Sequence, residues 1–203
     1  MHVKSGGRVV ISAPLGVTKE QVEAFAREKS VWIEESLREL AEKEEKREEA
    51  FLTKERIRLW GESLPLVFLP DSSYSLSLRE DAAYLTGPVS DPWEVRERFL
   101  RQQLKLRLHR AIAIRLPYWE KQMGLCARSF SIRDMKSRWG SCNTQTGRLT
   151  FHLQLISMPS ECLDYLLVHE LAHLKYANHS PAFWAEVKRF VPDCDAIRKR
   201  MKG

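Results

Sequence analysis

The 203 residues contain no Cys-x-x-Cys pair; the four cysteines, Cys126, Cys142, Cys162 and Cys194, stand far apart. That spacing argues against a zinc knuckle or a thioredoxin-type redox motif and leaves buried free thiols as the simplest reading. No apolar run approaches the roughly 18 residues that a membrane-spanning helix requires, so a transmembrane protein is excluded. The opening Met-His-Val-Lys-Ser-Gly-Gly-Arg lacks the apolar stretch of a secretory signal, and a cytoplasmic protein is expected. Glycine and proline number only nine each, with no internal repeat and no low-complexity linker. A composition of 43% hydrophobic and 30% charged residues excludes collagen-like, disordered and disulfide-scaffold classes.

Charge is unevenly placed. Residues 1–90 carry 13 Lys/Arg against 16 Asp/Glu, a net of −3, whereas residues 91–203 carry 20 against 11, a net of +9. A basic half can steer toward nucleic acid, although most such charge is simply a solvated face. Asp91-Pro92-Trp93-Glu94 predicts a helix from a capping residue, a proline at the first helical position and an acidic first turn. It should run to about Met123, and its arginines and lysines point in several directions rather than along one nucleic-acid-reading face.

Ahead of it, Val3 and Arg8 to Ser12 around Gly6-Gly7 read as a strand pair, broken by Ala13-Pro14-Leu15-Gly16. Thr18 is a candidate cap for a long helix whose apolar residues recur as Val22, Phe25, Ala26, Ile33, Leu37 and Leu40, with Trp32 beside them and a charged, solvated end over residues 38–50. Short strands follow at Ile57 to Trp60, Leu64 to Leu69, Tyr74 to Leu78 and Ala83 to Thr86, separated by glycine- and proline-bearing turns. An α+β protein is expected, with a small β-rich N-terminal lobe holding one long helix over residues 1–90 and a second domain over 91–203. In that second part Ser129 to Met135 and Leu149 to Ile156 alternate as strands, with Trp139 to Asn143 as turn or bulge material. Pro159-Ser160-Glu161 then opens an apolar helix.

Inside this last helix stands His169-Glu170-Leu171-Ala172-His173, an HExxH motif. Residues four apart lie one turn apart on one helical face, so His169 and His173 can present two imidazoles to a single metal. Glu170, one position on, can reach a metal-activated water without displacing it, which is what a general base requires. Catalytic zinc takes three protein ligands and leaves a position open. His179 precedes Ser180-Pro181, a cap and first-position pair that opens another helix, so it lies in a tight turn that can bring it back toward the helical histidines. Asn178 tolerates the left-handed conformation such reversals use. Glu186 is an alternative third ligand, and Cys194 a distant candidate for a closed structural site. Lone histidines such as His109 and His152 read as satisfied core residues, and Trp139 and Trp184 as packing anchors. Asp164 is a surface charge by default and otherwise a partner for a ligand imidazole.

The run Arg138-Trp139-Gly140-Ser141-Cys142, then Leu163 to His173, then Asn178-His179-Ser180-Pro181-Ala182-Phe183-Trp184, closely resembles the YgjP-like family of predicted metal-dependent hydrolases, related to SprT-like and Wss-like zinc peptidases. The most specific part spans residues 133–190. The resemblance implies a zincin-like C-terminal core with an HExxH active-site helix and a short antiparallel sheet. It implies Zn²⁺ held by His169, His173 and His179, Glu170 as base and acid, and a peptide or protein substrate that adds to an edge strand, for which Leu149 to Leu155 is the candidate. Metzincins share the histidine spacing, but they have glycine where Tyr176 stands, and no Met-turn is evident.

The expected function is therefore zinc-dependent hydrolysis of peptide bonds. Tyr176, Arg138 and His152 are candidates for stabilising the oxyanion, by proximity to motif residues. A second reading is a nucleic-acid-associated protein that uses its basic C-terminal half, with the zinc site weakly active. A third keeps zinc as a stabiliser of the fold alone.

Overall fold

Thr18 caps the first helix reciprocally: its hydroxyl accepts from the Gln21 amide, while the Gln21 side chain accepts from the Thr18 amide. In the computed structural model, which describes residues 2–4, 8–12, 16 and 18–202, with the side chains of 9–12, 16, 18–39 and 51–201, this helix is α1 (Lys19–Glu28). It follows a two-stranded antiparallel ribbon, β1 (His2–Lys4) and β2 (Arg8–Val10), in which Val3 pairs with Val9. The Gly6-Gly7 turn and most of the expected break, Ala13 to Leu15, lie outside the described residues. The long helix expected after Thr18 is interrupted at Lys29 and restarts as α2 (Ser30–Phe51). Serine favours helix starts over interiors, which suits the break. Phe25 and Trp32 remain 41% and 44% exposed, and α1 buries no residue.

Contacts group the chain into two compact units, Met1–Ala50 and Phe51–Gly203. The strands over residues 56–87 thus fall in the same unit as the HExxH helix, whereas the sequence reading groups them with the first hairpin. Four strands, β3 (Arg56–Leu59), β4 (Glu62–Pro70), β5 (Ser75–Leu78) and β6 (Ala83–Gly87), form a sheet of order β3-β4-β6-β5, with β4 and β6 parallel and the other pairs antiparallel. The β3–β4 turn is Trp60-Gly61, both at positive φ (51° and 90°), the conformation of a two-residue hairpin whose twist matches its strands. Both amides of this turn donate outward, Trp60 to the Ile156 carbonyl at 2.8 Å and Gly61 to that of Ser157 at 3.1 Å. A Cβ on Gly61 would stand 3.1 Å from Pro159, so the turn is pressed against the entrance of the HExxH helix.

Helix α3 (Trp93–Met123) buries Leu100, Leu104, Leu108, Ile112 and Leu116, a spacing of four that keeps one face inward along its whole length. It ends as expected at Met123, with Gly124 in the left-handed conformation (φ 64°). Its start differs from expectation. Pro92 occupies the cap position without a side-chain bond, because the Asp91 carboxylate accepts instead from the Tyr74 hydroxyl at 2.7 Å.

Next come β7 (Ser129–Arg133), β8 (Gly140–Asn143) and β9 (Arg148–His152), in the order β7-β9-β8. This sheet is mixed rather than antiparallel: β8 and β9 form a hairpin, which returns β9 beside β7 in parallel. Residues 140–143, expected as turn material from their weak strand propensity, are a strand because pairing with β9 overrides local preference. Alternation past His152 does not continue as strand either; Leu153–Ser157 is a 3₁₀ turn that buries Leu153, Leu155 and Ile156. Then follow α4 (Ser160–Ala172), α5 (Pro181–Phe190) and α6 (Cys194–Lys202). Helix α4 is apolar on almost every side and buries Cys162, Leu163, Tyr165 to Val168, Leu171 and Ala172, as a helix packed on all faces must. It contacts α3, α5, α6 and β8. No helix among the described residues is long and apolar enough to cross a membrane.

Candidate metal centre

The last turn of α4 carries His169, and His173 occupies its C-cap. His179 lies in the connection to α5, where Ser180 caps the helix by accepting from the Phe183 amide at 3.3 Å and Pro181 fills the first turn. The reversal is made without left-handed backbone at Asn178, contrary to expectation: Trp60 is the one non-glycine residue at positive φ among those described. The result is a cluster in which one ligand atom from each of His169, His173 and His179 lies within 4.8 Å of the others. His169 and His179 face each other through their Nε2 atoms at 3.1 Å.

Each ring is held. The Nδ1–H of His173 donates to the Tyr176 carbonyl at 3.0 Å, the tautomer that leaves Nε2 bare toward the cluster. The Nδ1 of His169 stands 3.4 Å from the Tyr165 hydroxyl, one turn back on the same helical face. Phe183, fully buried, lies under all three imidazoles, with ring centroids at 4.9, 4.6 and 4.8 Å from His169, His173 and His179. Trp184 stacks on His179 at 5.5 Å, so this predicted packing anchor also backs the site. Truncating Phe183 to alanine should cost about 3–5 kcal/mol, the usual cost of emptying a core phenylalanine. The same variant should bind metal more weakly, since the rings lose their common floor; denaturant titration beside metal titration measures both effects.

Burial, then the neighbouring His173 and His179, then the Arg198 charge, hold the His169 imidazole down to about 3. Burial likewise lowers His179. Both are therefore neutral at physiological pH, with lone pairs free. The donor set fits a zinc-type ion on two observations. Two nitrogens at ~2.0–2.1 Å from a tetrahedral zinc stand roughly 3.3 Å apart, close to the observed Nε2 separation. Beside them, the Oε2 of Glu170 is buried without a hydrogen-bond partner, an acceptor that a bound water or substrate proton would satisfy.

Glu170 is 3% exposed. Burial pushes its carboxyl up to about 8, against the Arg138 charge, which lowers it. It lies against β8 so closely that a Cβ on Gly140 would stand 2.5 Å from Oε1. Cys142, on the same strand, has its thiol pushed up to about 11 by burial and then by Glu170, and so is a protonated, unreactive thiol.

These groups open into a cleft of about 560 Å³, lined also by Arg138, β8, Tyr165, Arg198 and Met201. The cleft does not contain every residue the sequence nominates. Glu186 pairs with Lys175 at 3.5 Å, Cys194 is buried elsewhere, and neither belongs to the histidine cluster or lines the cleft. Asp164 accepts from Arg115 and Trp119, both at 2.9 Å, and is bonded to no ligand imidazole. His152 is committed to the Gln154 amide and Tyr176 offers its carbonyl to His173, and neither lines the cleft; of the three oxyanion candidates Arg138 alone does. His109 is exposed, against Phe130, rather than in the core.

A family model, the YgjP-like metallopeptidase domain, matches residues 1–203. The chain belongs to the YgjP-like family. Membership makes it a metallopeptidase-family protein, and a divalent metal goes with that class. The YgjP-like chain is similar to two solved metallopeptidase zymogens. It shares 27% identity with abylysin of Pyrococcus abyssi, over 44% of this chain and 90% of that one, with a TM-score of 0.42. It shares 23% with jannalysin of Methanocaldococcus jannaschii, over 44% and 92%, with a TM-score of 0.40. No curated protein matches the chain.

Among the contributors to the YgjP-like cleft that the sequence reading gives no role are Tyr165, Gly140 and Arg198. Tyr165 carries a signal, its spacing of four from His169. Gly140 is marked only as part of the family-like run Arg138 to Cys142 and Arg198 not at all, because their proximity to the motif depends on strand pairing and on the packing of α6.

Proposed function

We propose that this protein is a zinc-dependent peptidase in which His169, His173 and His179 hold the metal and Glu170 is the general base. The observation that carries the reading is the convergence of three imidazoles beside a buried carboxylate with an unsatisfied oxygen, all opening on one cleft. Bound zinc would supply an acidified water and a polarised scissile carbonyl. Glu170 accepts the proton of the attacking water and returns it to the leaving amine. Burial raises its proton affinity above that of an ordinary carboxylate, and the charge of a bound metal would favour the ionised form that accepts the proton.

Substrate positioning falls to β8. The candidate edge strand of the sequence reading, Leu149 to Leu155, is corrected by the topology: β9 is central and paired on both sides, and residues beyond His152 leave the sheet. β8 is at the edge of the sheet and lines the cleft, so an extended peptide would add to β8 through main-chain hydrogen bonds.

Elemental analysis of the purified protein beside His179→Ala tests the ligand set. About one zinc per chain in the wild type, lost or weakened by the substitution, is expected for a three-histidine site. Full occupancy in the variant would remove His179 from the set. Chelation should also lower the melting temperature, because metal binds the folded chain and stabilises it by mass action.

A further inference from the structure

Two arginines line the cleft, and they are placed differently. Arg138 is exposed, two residues ahead of β8. Arg198 projects from α6, half-buried, with its guanidinium 4.6 Å over the ring of Trp184. That ring lies in turn 5.5 Å from His179 and 5.9 Å from His169.

Among the described residues Arg198 makes no ion pair. The nearby carboxylates of α6 and α4 that take partners take other ones: Asp195 binds Lys188 at 2.6 Å, Glu161 binds Arg200 at 2.6 Å and Asp164 binds Arg115. Arg198 lines the same cleft as His169, His173 and His179. A fixed cation beside residues that are to hold a divalent cation opposes metal binding, so its placement calls for an anion that forms in the cleft. Peptide hydrolysis makes such an anion. As the water oxygen bonds to the carbonyl carbon, the C=O π pair moves onto the carbonyl oxygen while Glu170 takes the water proton. Collapse re-forms the C=O bond and expels the amine, which carries that proton away.

We propose that Arg198 is a catalytic residue whose guanidinium, held over Trp184 at the cleft wall, stabilises the oxyanion formed at the scissile carbonyl. The proposal rests on the peptidase reading above and adds to it a half-buried charge at the cleft, which Tyr176 and His152, lying outside the cleft, do not supply and which the exposed Arg138 offers only to solvent-facing space. A donor fixed where charge develops, in a water-poor site, is worth far more than the same charge in solvent, because no reorganisation is needed as the reaction proceeds.

The test uses full-length, zinc-loaded protein. Arg198→Met keeps the apolar stem against Trp184 and removes the charge, and Arg198→Lys keeps a charge without the planar guanidinium. Turnover is read on an internally quenched peptide selected from a mixed-sequence library by wild-type cleavage. Affinity is read by calorimetry on a capped phosphinic dialanine, a tetrahedral anion with no carboxylate. Arg198→Met is expected to lose ~10²–10³-fold in kcat with little change in KM, the cost of removing one oxyanion donor. It should lose phosphinate affinity by a similar factor and keep its zinc, with Arg198→Lys recovering part of both. Unchanged kcat and phosphinate affinity would overturn the proposal, as would a raised KM at unchanged kcat, which marks a docking role. Glu170→Gln and metal-stripped wild type run alongside. Should these still cleave the peptide, the peptidase reading itself fails; should they be inactive while Arg198→Met is fully active, only the role of Arg198 does.

Discussion

Replacing Glu170 by glutamine is expected to reduce peptide hydrolysis by on the order of 10²–10⁴-fold, the usual contribution of a positioned general base. Zinc content should not change. The glutamine is nearly isosteric, so it fits the space against Gly140, and it leaves the three imidazoles untouched. What it removes is the oxygen that can take and hold a proton. Fold stability should hold or rise, because a buried carboxyl that burial has pushed to about 8 is costly to ionise, whereas an amide is not ionised at all. Turnover beside zinc analysis checks both parts. Full activity in a zinc-loaded variant would take Glu170 out of the chemistry.

Gly140→Ala is expected to be nearly as damaging, although it alters no titratable group. The added methyl carbon would lie 2.5 Å from Oε1 and 3.1 Å from Cγ of Glu170, closer than side chains approach. Either β8 or the carboxylate must move. β8 is paired along its length with β9, from Gly140 against Phe151 to Asn143 against Arg148, and Phe151 is fully buried, so the strand resists displacement. The carboxylate therefore gives way. A shift of about 1 Å in a catalytic group costs ~10²-fold in rate, and that loss in kcat, with zinc retained, is the expected result. A variant of unchanged kcat would show that the carboxylate tolerates the displacement.

The two variants share a physical origin but differ in how the sequence announces them. Glu170 is visible because it belongs to a local pattern: in any helix, positions 169, 170 and 173 have fixed relative directions, so spacing alone implies geometry. His179 is nearly as legible, since Ser180-Pro181 marks the next helix start and confines the histidine to a short turn. Family membership, read from the same residues, agrees with the match over the whole chain. Gly140 gives no such sign. Gly-Ser-Cys-Asn has little strand propensity, and its role as a strand pressed against Glu170 arises only from pairing with a segment beyond the next turn.

The same distinction holds across the fold. Composition and periodicity determined the helix ends at Thr18 and Met123, the four short strands over residues 56–87, and the grouping of His169, His173 and His179. These depend on contacts within a turn or two of chain, which residue order specifies directly. Tertiary structure alone decided that β9 is central and β8 the edge, that the strands of residues 56–87 join the HExxH helix in one unit, and that Asp91 serves Tyr74 rather than capping α3. It alone brought Arg198 into the cleft. Each of these is a choice among partners far apart in sequence, made by which arrangement buries the apolar faces of α3, α4 and the sheets together. Local spacing carries no record of that choice.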